Sequence, residues 1–275
     1  MDKSKNKLTM EELTSYAKRR GFVFQASEIY GGIGGFWDLG PYGAELADNI
    51  KASWWKEFVY KNANVVGVNT TIIQNSKLWK ASGHIDTFVD PMVDCKECKH
   101  RFRADHVAGI DTNDLKKLDE KLKETACPNC GAKHSFTPAR TFQMMFKTYV
   151  GPIEDDANVS YLRPETAGGI FAQYENVRET TRKKLPFGIA QIGKAFRNEI
   201  TPGDFIFRLR ELTQMELEFF TKPKEAAKQY EFWKDYCMQW LLSLGLNKEN
   251  LRFHDHADDE RAHYAEASVD VQYNY

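Results

Sequence analysis

Residues 187–220 show the clearest alternation of apolar and polar positions in the chain. Successive side chains of a β-strand point to opposite faces, so this alternation predicts a strand with two different faces. One parity is apolar and comprises Phe207, Leu209, Met215, Leu217 and Phe219. The other parity is mainly polar and comprises Arg208, Arg210, Leu212, Gln214, Glu216 and Glu218. We therefore predict two strands joined by a polar loop, with one face packed on a core.

Charges of both signs converge on this predicted hairpin. The first strand ends in the sequence Phe-Arg-Asn-Glu, where Arg197 and Glu199 share a face. Two cations and several carboxylates on one hairpin favour a ligand pair with a polyphosphate and an amine, such as ATP and an amino acid. A solvated strand face is the alternative for the second strand, but it does not explain the charges on its partner.

Three helices follow from capping and periodicity. Thr9 and Glu12 form the ends of a capping box, which predicts a helix from about Met10 to Arg20. Apolar side chains at four-residue spacing predict a second helix over residues 41–60. An amphipathic helix is predicted over residues 224–244.

Extended segments are predicted over residues 22–30, 65–74 and 141–149, and residues 162–165 end a further extended piece before a helix that starts at 166 or 167. The glycines of residues 31–35 predict a turn. A phosphate-binding loop is the alternative, but the Gly-Lys-Ser/Thr ending is missing and no βαβ pattern surrounds the segment. We favour the plain turn.

Four of the five cysteines form two C-x2-C pairs separated by residues 99–126. Four thiolates in tetrahedral geometry suit a structural Zn²⁺ best, while free thiols and redox pairs remain as alternatives. We predict that residues 94–136 are an insertion holding this ion, with a short polar helix over residues 114–124 that has little to bury. The predicted ligands are Cys95, Cys98, Cys127 and Cys130.

Composition narrows the functional class. The 275 residues carry a net charge of −1, so the chain has no overall positive charge for binding nucleic acid. A transmembrane helix and a secretory signal are not expected, because no long apolar run is present and residues 1–10 lack an apolar core. Paired cysteines of metal-site spacing favour a reducing compartment, so the cytoplasm is the expected location and no membrane is expected as a partner.

The motifs resemble those of one enzyme family. The Phe-Arg-Asn-Glu sequence and residues 208–220 resemble motif 2 of class II aminoacyl-tRNA synthetases. Residues 163–171 and 21–46 are similar to the glycyl-tRNA synthetases of the homodimeric type. The resemblance implies an α+β fold with a mainly antiparallel sheet, flanking helices and the zinc-binding insertion. Residues 1–93 and 137–275 would then form the catalytic domain.

The implied activity is ATP-dependent ligation of glycine to tRNA(Gly) through a glycyl-adenylate, with Mg²⁺ accompanying ATP. The matching positions for catalysis are Arg197, Glu199 and Arg208. The ATP contacts implied are Arg197, Asn198, Glu199, Phe207, Arg208 and Leu212. The glycine contacts implied are Arg103, Glu165, Arg197, Gln214 and Glu216, with the two glutamates on the ammonium. Pro41 and its helix resemble motif 1, which implies a homodimer interface.

Several features depart from the family pattern. Leu212 stands where the family has a phenylalanine on adenine, and Gly168 stands where it has glutamine. Motif 3 is absent, so the chain is expected to be an N-terminal portion that binds ATP weakly and does not complete adenylation alone. A non-catalytic synthetase relative that binds RNA or acts as an accessory protein is the alternative function. A zinc-dependent nucleic-acid-binding module is a third.

A second polar cluster lies near the end of the sequence. It comprises His254, Asp255, His256, Asp258, Asp259 and His263. Metal binding is one interpretation of this cluster. We favour a structural, hydrogen-bonding role.

Overall fold

The computed structural model describes residues 8–203, 205–258, 260–262 and 264–274. The helices, in chain order, are α1 Met10–Arg19, α2 Pro41–Trp55, α3 Ser76–Ala81, α4 His84–Thr87, α5 Ala104–Ala108, α6 Leu115–Leu122, α7 Ala167–Thr181 and α8 Ala226–Ser243. The strands are β1 Val23–Gln25, β2 Trp37–Leu39, β3 Val65–Gly67, β4 Ile73–Gln74, β5 Val89–Asp94, β6 Arg101–Arg103, β7 Arg140–Gln143, β8 Lys147–Tyr149, β9 Val159–Leu162, β10 Phe187–Phe196, β11 Glu211–Phe220, β12 Leu251–Asp255 and β13 Val269–Tyr273.

The predicted hairpin is confirmed as β10 and β11, an antiparallel pair with ten residues in each strand. Strand β3 adds a parallel neighbour to β10. The expected alternation was wrong at one end, because β11 begins at Glu211 and leaves Arg208 and Arg210 in the loop. The guanidinium of Arg210 donates to the carbonyls of Glu199 and Gly34, and its backbone N–H donates to the carbonyl of Gly35, so these bonds hold the loop where the regular strand ladder has ended.

The two faces of the hairpin pack on different helices. One face carries Met215 and Leu217 against the aromatic side chains of α2 and α8. Trp54 stacks on Phe58 there, with ring centroids 5.0 Å apart. The other face starts with Phe187 and Phe220 on α7 and continues to the polar residues of β11. A sheet packed on both sides is well suited to hold polar side chains in fixed positions.

The three predicted helices are confirmed, with one change of type. The capping box of Thr9 and Glu12 is present at α1. The helix over residues 41–60 is an α-helix only to Trp55, and Lys56–Tyr60 continues it as a π-helix. A short 3-10 turn, Pro223–Glu225, precedes α8.

Three of the predicted extended segments are shorter or broken. Residues 65–74 divide into β3 and β4, because the backbone of Thr70 bonds to the side chains of Gln191 and Arg163 instead of a strand. Residues 141–149 divide into β7, which pairs with β5, and β8, which pairs with β9. Strand β1 ends at Gln25, since Ser27 takes a left-handed conformation with φ of 56°.

Residues 89–143 have a hydrophobic cluster of their own beside the sheet β6-β5-β7. The expectation of a helix with little to bury was wrong. Leu118 and Leu122 of α6 are 0% and 3% exposed and pack in this cluster with Val93 and Phe136. The division of the chain at residues 94 and 136 stays a prediction.

Across the residues described, no helix combines the length and apolar character required to cross a bilayer.

Candidate active site

The Phe-Arg-Asn-Glu segment after β10 is pinned by backbone hydrogen bonds. The N–H of Arg197 donates to the carbonyl of Arg210 at 2.9 Å, and the N–H of Asn198 donates to Met144 at 2.7 Å. The Nε of Arg197 donates to the carbonyl of Pro164 at 3.1 Å. The guanidinium of Arg197 also lies 5.9 Å from the ring centroid of Phe88. Arg197 therefore joins the hairpin to the segment that carries Glu165.

Three arginines surround the buried carboxyl of Glu199. Burial raises the pKa of Glu199, while Arg208, Arg197 and Arg103 act against this shift. Arg103 itself forms a bidentate pair with Asp105, at 2.6 and 3.2 Å, and lies 3.3 Å from Asp90. Burial raises the pKa of Asp90 as well. The result is a cluster of three arginines and three acids, in which Arg103 is paired with Asp105 and Asp90. Among the described residues, no carboxylate lies within ion-pair distance of Arg197 or Arg208. Guanidinium groups of this kind suit an anionic ligand.

A second group of side chains, mainly carboxylates, lies along the polar parity of β11. The hydroxyl of Thr166 donates to Glu216, and its N–H donates to the Oε1 of Gln214 at 3.2 Å. The Oε2 of Glu165 lies 3.5 Å from the Nε2 of His84. Burial raises the pKa of Glu218 to about 7, and Glu216 and Glu165 add to this shift. This concentration of negative charge suits an ammonium group.

Buried hydrogen bonds form the floor beside these carboxylates. Arg163 is 2% exposed and donates to the carbonyls of Lys194 at 2.6 Å and Thr70 at 2.8 Å. The Oε1 of Gln191 accepts from both the N–H and the hydroxyl of Thr70. A Cβ at Gly193 would collide with Nη2 of Arg163. The floor is therefore rigid and has no space for a side chain at position 193.

The glycine turn of residues 31–35 packs against the hairpin loop. The carbonyl of Gly34 accepts from Arg210 at 2.6 Å. Gly35 has φ of +79°, and a Cβ there would lie 2.7 Å from Pro202. These contacts give the turn a structural role, as the plain-turn interpretation expects.

The structure brings the predicted site residues into two groups. Arg197, Arg208 and Arg103 each act electrostatically on Glu199. Glu165, Gln214 and Glu216 lie on or beside the polar face of β11. Leu212 pairs with Ala195 in the ladder, and Phe207 is 54% exposed in the loop. The ligand contacts assigned to these residues stay predictions.

Sequence reasoning omitted several residues of the site. Glu218 shares the parity of Glu216, and the alternation alone marked it for inclusion. Arg163 and Thr166 flank Glu165 in the sequence. His84 lies far from these motifs in the chain, and no local pattern identifies it.

The four cysteines meet as two matching loops. All four sulfurs lie within 4.8 Å of one another, with Cys95–Cys130 at 3.8 Å and Cys98–Cys127 at 3.7 Å. A tetrahedron of Zn–S bonds of about 2.3 Å places its sulfurs about 3.8 Å apart. In each loop the residue four positions after the first cysteine, Lys99 or Gly131, has positive φ and donates to that cysteine's carbonyl. The donor set fits one tetrahedral ion.

The described histidines of the cluster near the end of the chain lie close to carboxylates. His256 lies 3.0 Å from Asp270, and His254 lies 3.7 Å from Glu260. Asp259 and His263, which belong to the predicted cluster, lie outside the described residues. Within the described part of the chain, only the four cysteines form a group with metal-binding geometry.

Comparisons with known proteins place this geometry in context. The family model of the tRNA synthetase class II core domain (G, H, P, S and T) matches residues 146–272. A glycine–tRNA ligase of Geobacillus thermodenitrificans (strain NG80-2) is 53% identical over 97% of this chain and 60% of its own length. One of Thermobifida fusca (strain YX) is 48% identical over 97% of this chain and 58% of its own length. The chain thus spans about 60% of the length of the curated relatives it matches.

A solved structure supports the fold. The RNA binding domain of threonyl-tRNA synthetase from Cryptosporidium parvum Iowa II has a TM-score of 0.56 with 18% identity, and the match covers 90% of this chain and 44% of that one. At this identity the likeness concerns the fold alone: mixed helices and mainly antiparallel sheets.

Proposed function

We propose that this chain, which belongs to the class II glycine–tRNA ligases and spans part of their length, activates glycine with ATP and transfers it to tRNA(Gly). The observation that carries this proposal is the meeting of two groups at one hairpin. We assign the arginines around Glu199 to a polyphosphate and the carboxylates on β11 to an ammonium, which is supported by the opposite charges of the two groups. Two substrates of opposite charge thus come together where they react.

Adenylate formation needs placement and charge stabilisation. A carboxylate oxygen of glycine attacks the α-phosphorus of ATP, the bond to the β-phosphate oxygen breaks, and pyrophosphate leaves. Negative charge grows on the phosphoryl oxygens, and we assign Arg197 to stabilise it through its fixed guanidinium. We assign Arg208 to the γ-phosphate and Glu199 to the adenine amino group. Class II synthetases use ATP with Mg²⁺ in general, and the metal would neutralise phosphate charge.

Selection of glycine follows from charge and from space. We assign Glu165 and Glu216 to the ammonium, with Gln214 and Arg103 as further contacts. Arg163, Gln191 and Gly193 form a closely packed floor beside the proposed glycine site. This packing supports the exclusion of amino acids larger than glycine, because the floor groups cannot move aside for a substrate side chain. The 3′ hydroxyl of the tRNA would then attack the acyl carbon, and AMP would leave.

The four cysteines would hold a structural Zn²⁺. Their matching loops and sulfur spacing support this assignment, and four thiolate ligands leave no open position for catalysis. Elemental analysis should find about one zinc per chain. Metal-free protein with an intact fold would reject the assignment.

A homodimer through the motif 1 region is the third part of the proposal. Tyr42 and Leu46 of α2 are 67% and 49% exposed, which supports an apolar contact with a second copy. Leu46→Asp should convert a dimer to monomer in light scattering, and an unchanged mass would count against this interface.

We place the protein in the cytoplasm, supported by its cysteines, which all lie among the described residues and form no disulfide. A fusion to a fluorescent protein found in another compartment would contradict this.

The test is glycine-dependent ATP–pyrophosphate exchange by the protein as its gene encodes it, with alanine and serine as controls. We expect exchange with glycine alone, and transfer of labelled glycine to tRNA(Gly). No exchange with any amino acid would favour a non-catalytic relative that binds RNA.

A further inference from the structure

His84 lies in an aromatic pocket next to the predicted ammonium site. It is the first residue of α4 and follows Gly83, whose φ of +83° turns the chain. Its ring centroid is 5.4 Å from that of Trp79 and 5.7 Å from that of Phe88. Because Trp79 is completely buried, these neighbours hold the imidazole in one orientation.

Both ring nitrogens of His84 have a partner. The Nδ1 lies 2.9 Å from the hydroxyl of Ser82, and the Nε2 lies 3.5 Å from the Oε2 of Glu165. The same hydroxyl lies 3.3 Å from the carbonyl of Trp79. If the hydroxyl donates to that carbonyl, Nδ1 donates to the hydroxyl, and Nε2 also carries a proton when the ring is an imidazolium. If the hydroxyl donates to Nδ1, the neutral ring carries its proton on Nε2. The imidazolium and the Nε2–H tautomer therefore both present a proton on the nitrogen that lies 3.5 Å from the Glu165 carboxylate.

We propose that His84 is a positioning residue, which holds one oxygen of the Glu165 carboxylate so that the other faces the substrate ammonium. Among the described side chains, His84 is the one within ion-pair distance of Glu165, whereas Glu216 accepts from the hydroxyl of Thr166. Each of the two carboxylates assigned to the ammonium therefore has its own polar neighbour, Thr166 for Glu216 and His84 for Glu165. This inference rests on the proposed function, since that function gives Glu165 its ligand.

The same aromatic cluster reaches the phosphate side of the site. The ring of Phe88 packs on His84 and also lies 5.9 Å from the guanidinium carbon of Arg197. The N–H of Phe88 donates to the carbonyl of His84 at 3.1 Å. A variant that empties the His84 position would therefore disturb Arg197 as well, and a conservative replacement is needed to separate the two effects.

The experiment compares His84→Gln with His84→Ala in glycine-dependent exchange. The amide nitrogen of glutamine replaces Nε2–H as a donor, and alanine removes it. We expect His84→Ala to raise the KM for glycine about tenfold, as for loss of a hydrogen bond to a charged group, and His84→Gln to recover most of that loss. With His84→Gln the KM for ATP should stay within about twofold, because this variant leaves the phosphate contacts of Arg197 in place.

His256→Gln is the matched control, because His256 pairs with Asp270 at 3.0 Å outside the site. It should leave both KM values unchanged. An unchanged KM for glycine in His84→Ala, or an equal rise of both KM values in His84→Gln, would overturn the proposal.

A second measurement keeps this inference separate from the proposed function. Imidazole ¹⁵N signals of the protein, with His84 assigned by its loss in His84→Gln, should show an Nε2 shift on Glu165→Gln substitution. No shift would overturn the contact itself. Failure of the unsubstituted protein to exchange would count against the function and leave this measurement to decide the contact.

Discussion

Two regions hold their proposed functional residues by different means. One is the hairpin site, formed by β10, β11 and the side chains around them, and the other is the cysteine module, residues 89–143. In the hairpin, β10 and β11 pair over ten residues, and buried side chains such as Arg163 bond to backbone carbonyls. In the module, the strands are short and two loops bring four thiols together. The hairpin geometry therefore comes from the polypeptide alone. For the module we expect the ion that the thiols are proposed to share to stabilise the geometry, together with the buried cluster around Leu118 and Phe136.

The hairpin site gains its rigidity from strand pairing and packing, whereas the cysteine module is proposed to gain stability from a metal ion. A site that stabilises developing charge needs groups fixed before the substrate arrives, and strand pairing with packing on both faces provides this. A small module with a limited core gains its stability from an ion that binds only the folded form. The two regions should consequently respond to different perturbations.

Removal of the metal should have the largest effect, and it should destabilise the cysteine module while leaving the hairpin intact. Structural zinc contributes on the order of 10–16 kcal/mol in small zinc-binding peptides. We expect Cys95→Ser to abolish zinc binding and to increase amide hydrogen exchange over residues 94–136, while β10 and β11 stay protected. The matched control Cys237→Ser removes a thiol of α8 and should keep the zinc. Full protection of the module without metal would contradict this view.

Loss of Arg197 should impair activity at the hairpin site and leave the cysteine module unaffected. Arg197→Ala removes the guanidinium proposed to stabilise the phosphoryl charge, so exchange should slow by about 10²- to 10³-fold. Zinc content should not change, and the melting temperature should fall only through the lost contacts with Pro164 and Phe88. Arg178→Ala, which removes an exposed i,i+3 ion pair with Glu175, serves as the control. A loss of less than tenfold would show that the arginine is not at the reacting phosphate.

The pH dependence of stability should distinguish the hairpin from the module. Burial raises the pKa of Glu218 to about 7 from a reference value of 4.5. Between these two values the folded state binds more protons than the unfolded state. The contribution of Glu218 to the free energy of unfolding is therefore greatest below pH 4.5 and is lost as pH rises through 7. Glu218→Gln should flatten this fall in melting temperature, whereas Glu211→Gln on the same strand should not. An unchanged slope in Glu218→Gln would contradict the assigned pKa.

The smallest effect is expected at the adenine position. Leu212→Phe adds an aromatic ring where stacking is worth about 1 kcal/mol, so the KM for ATP should fall about fivefold. Leu212→Ala, which removes the apolar contact, should raise it. If the phenylalanine variant leaves the KM for ATP unchanged or raises it, Leu212 does not contact adenine.

Sequence reasoning succeeded where the relevant order is local. The hairpin, the capping box of α1 and the helix α8 follow from side chains only a few positions apart. It failed where distant residues decide. The segment 65–74 has the composition of a strand. It is interrupted at Thr70, because the side chains of Gln191 and Arg163 form hydrogen bonds with the backbone N–H and carbonyl there. Helix α6 has a polar composition, yet its two leucines bury one face of it in a small cluster.

The sequence by itself determined the family, the charged hairpin and the cysteine spacing, because each lies in contiguous motifs that periodicity and similarity reveal. Only the tertiary structure decided that Arg210 bonds to the glycine turn, that the half-buried Glu218 lies near Glu216 and Glu165, and that His84 lies 3.5 Å from Glu165. These contacts join residues far apart in the chain. Their existence depends on how helices and strands pack, which local patterns do not encode.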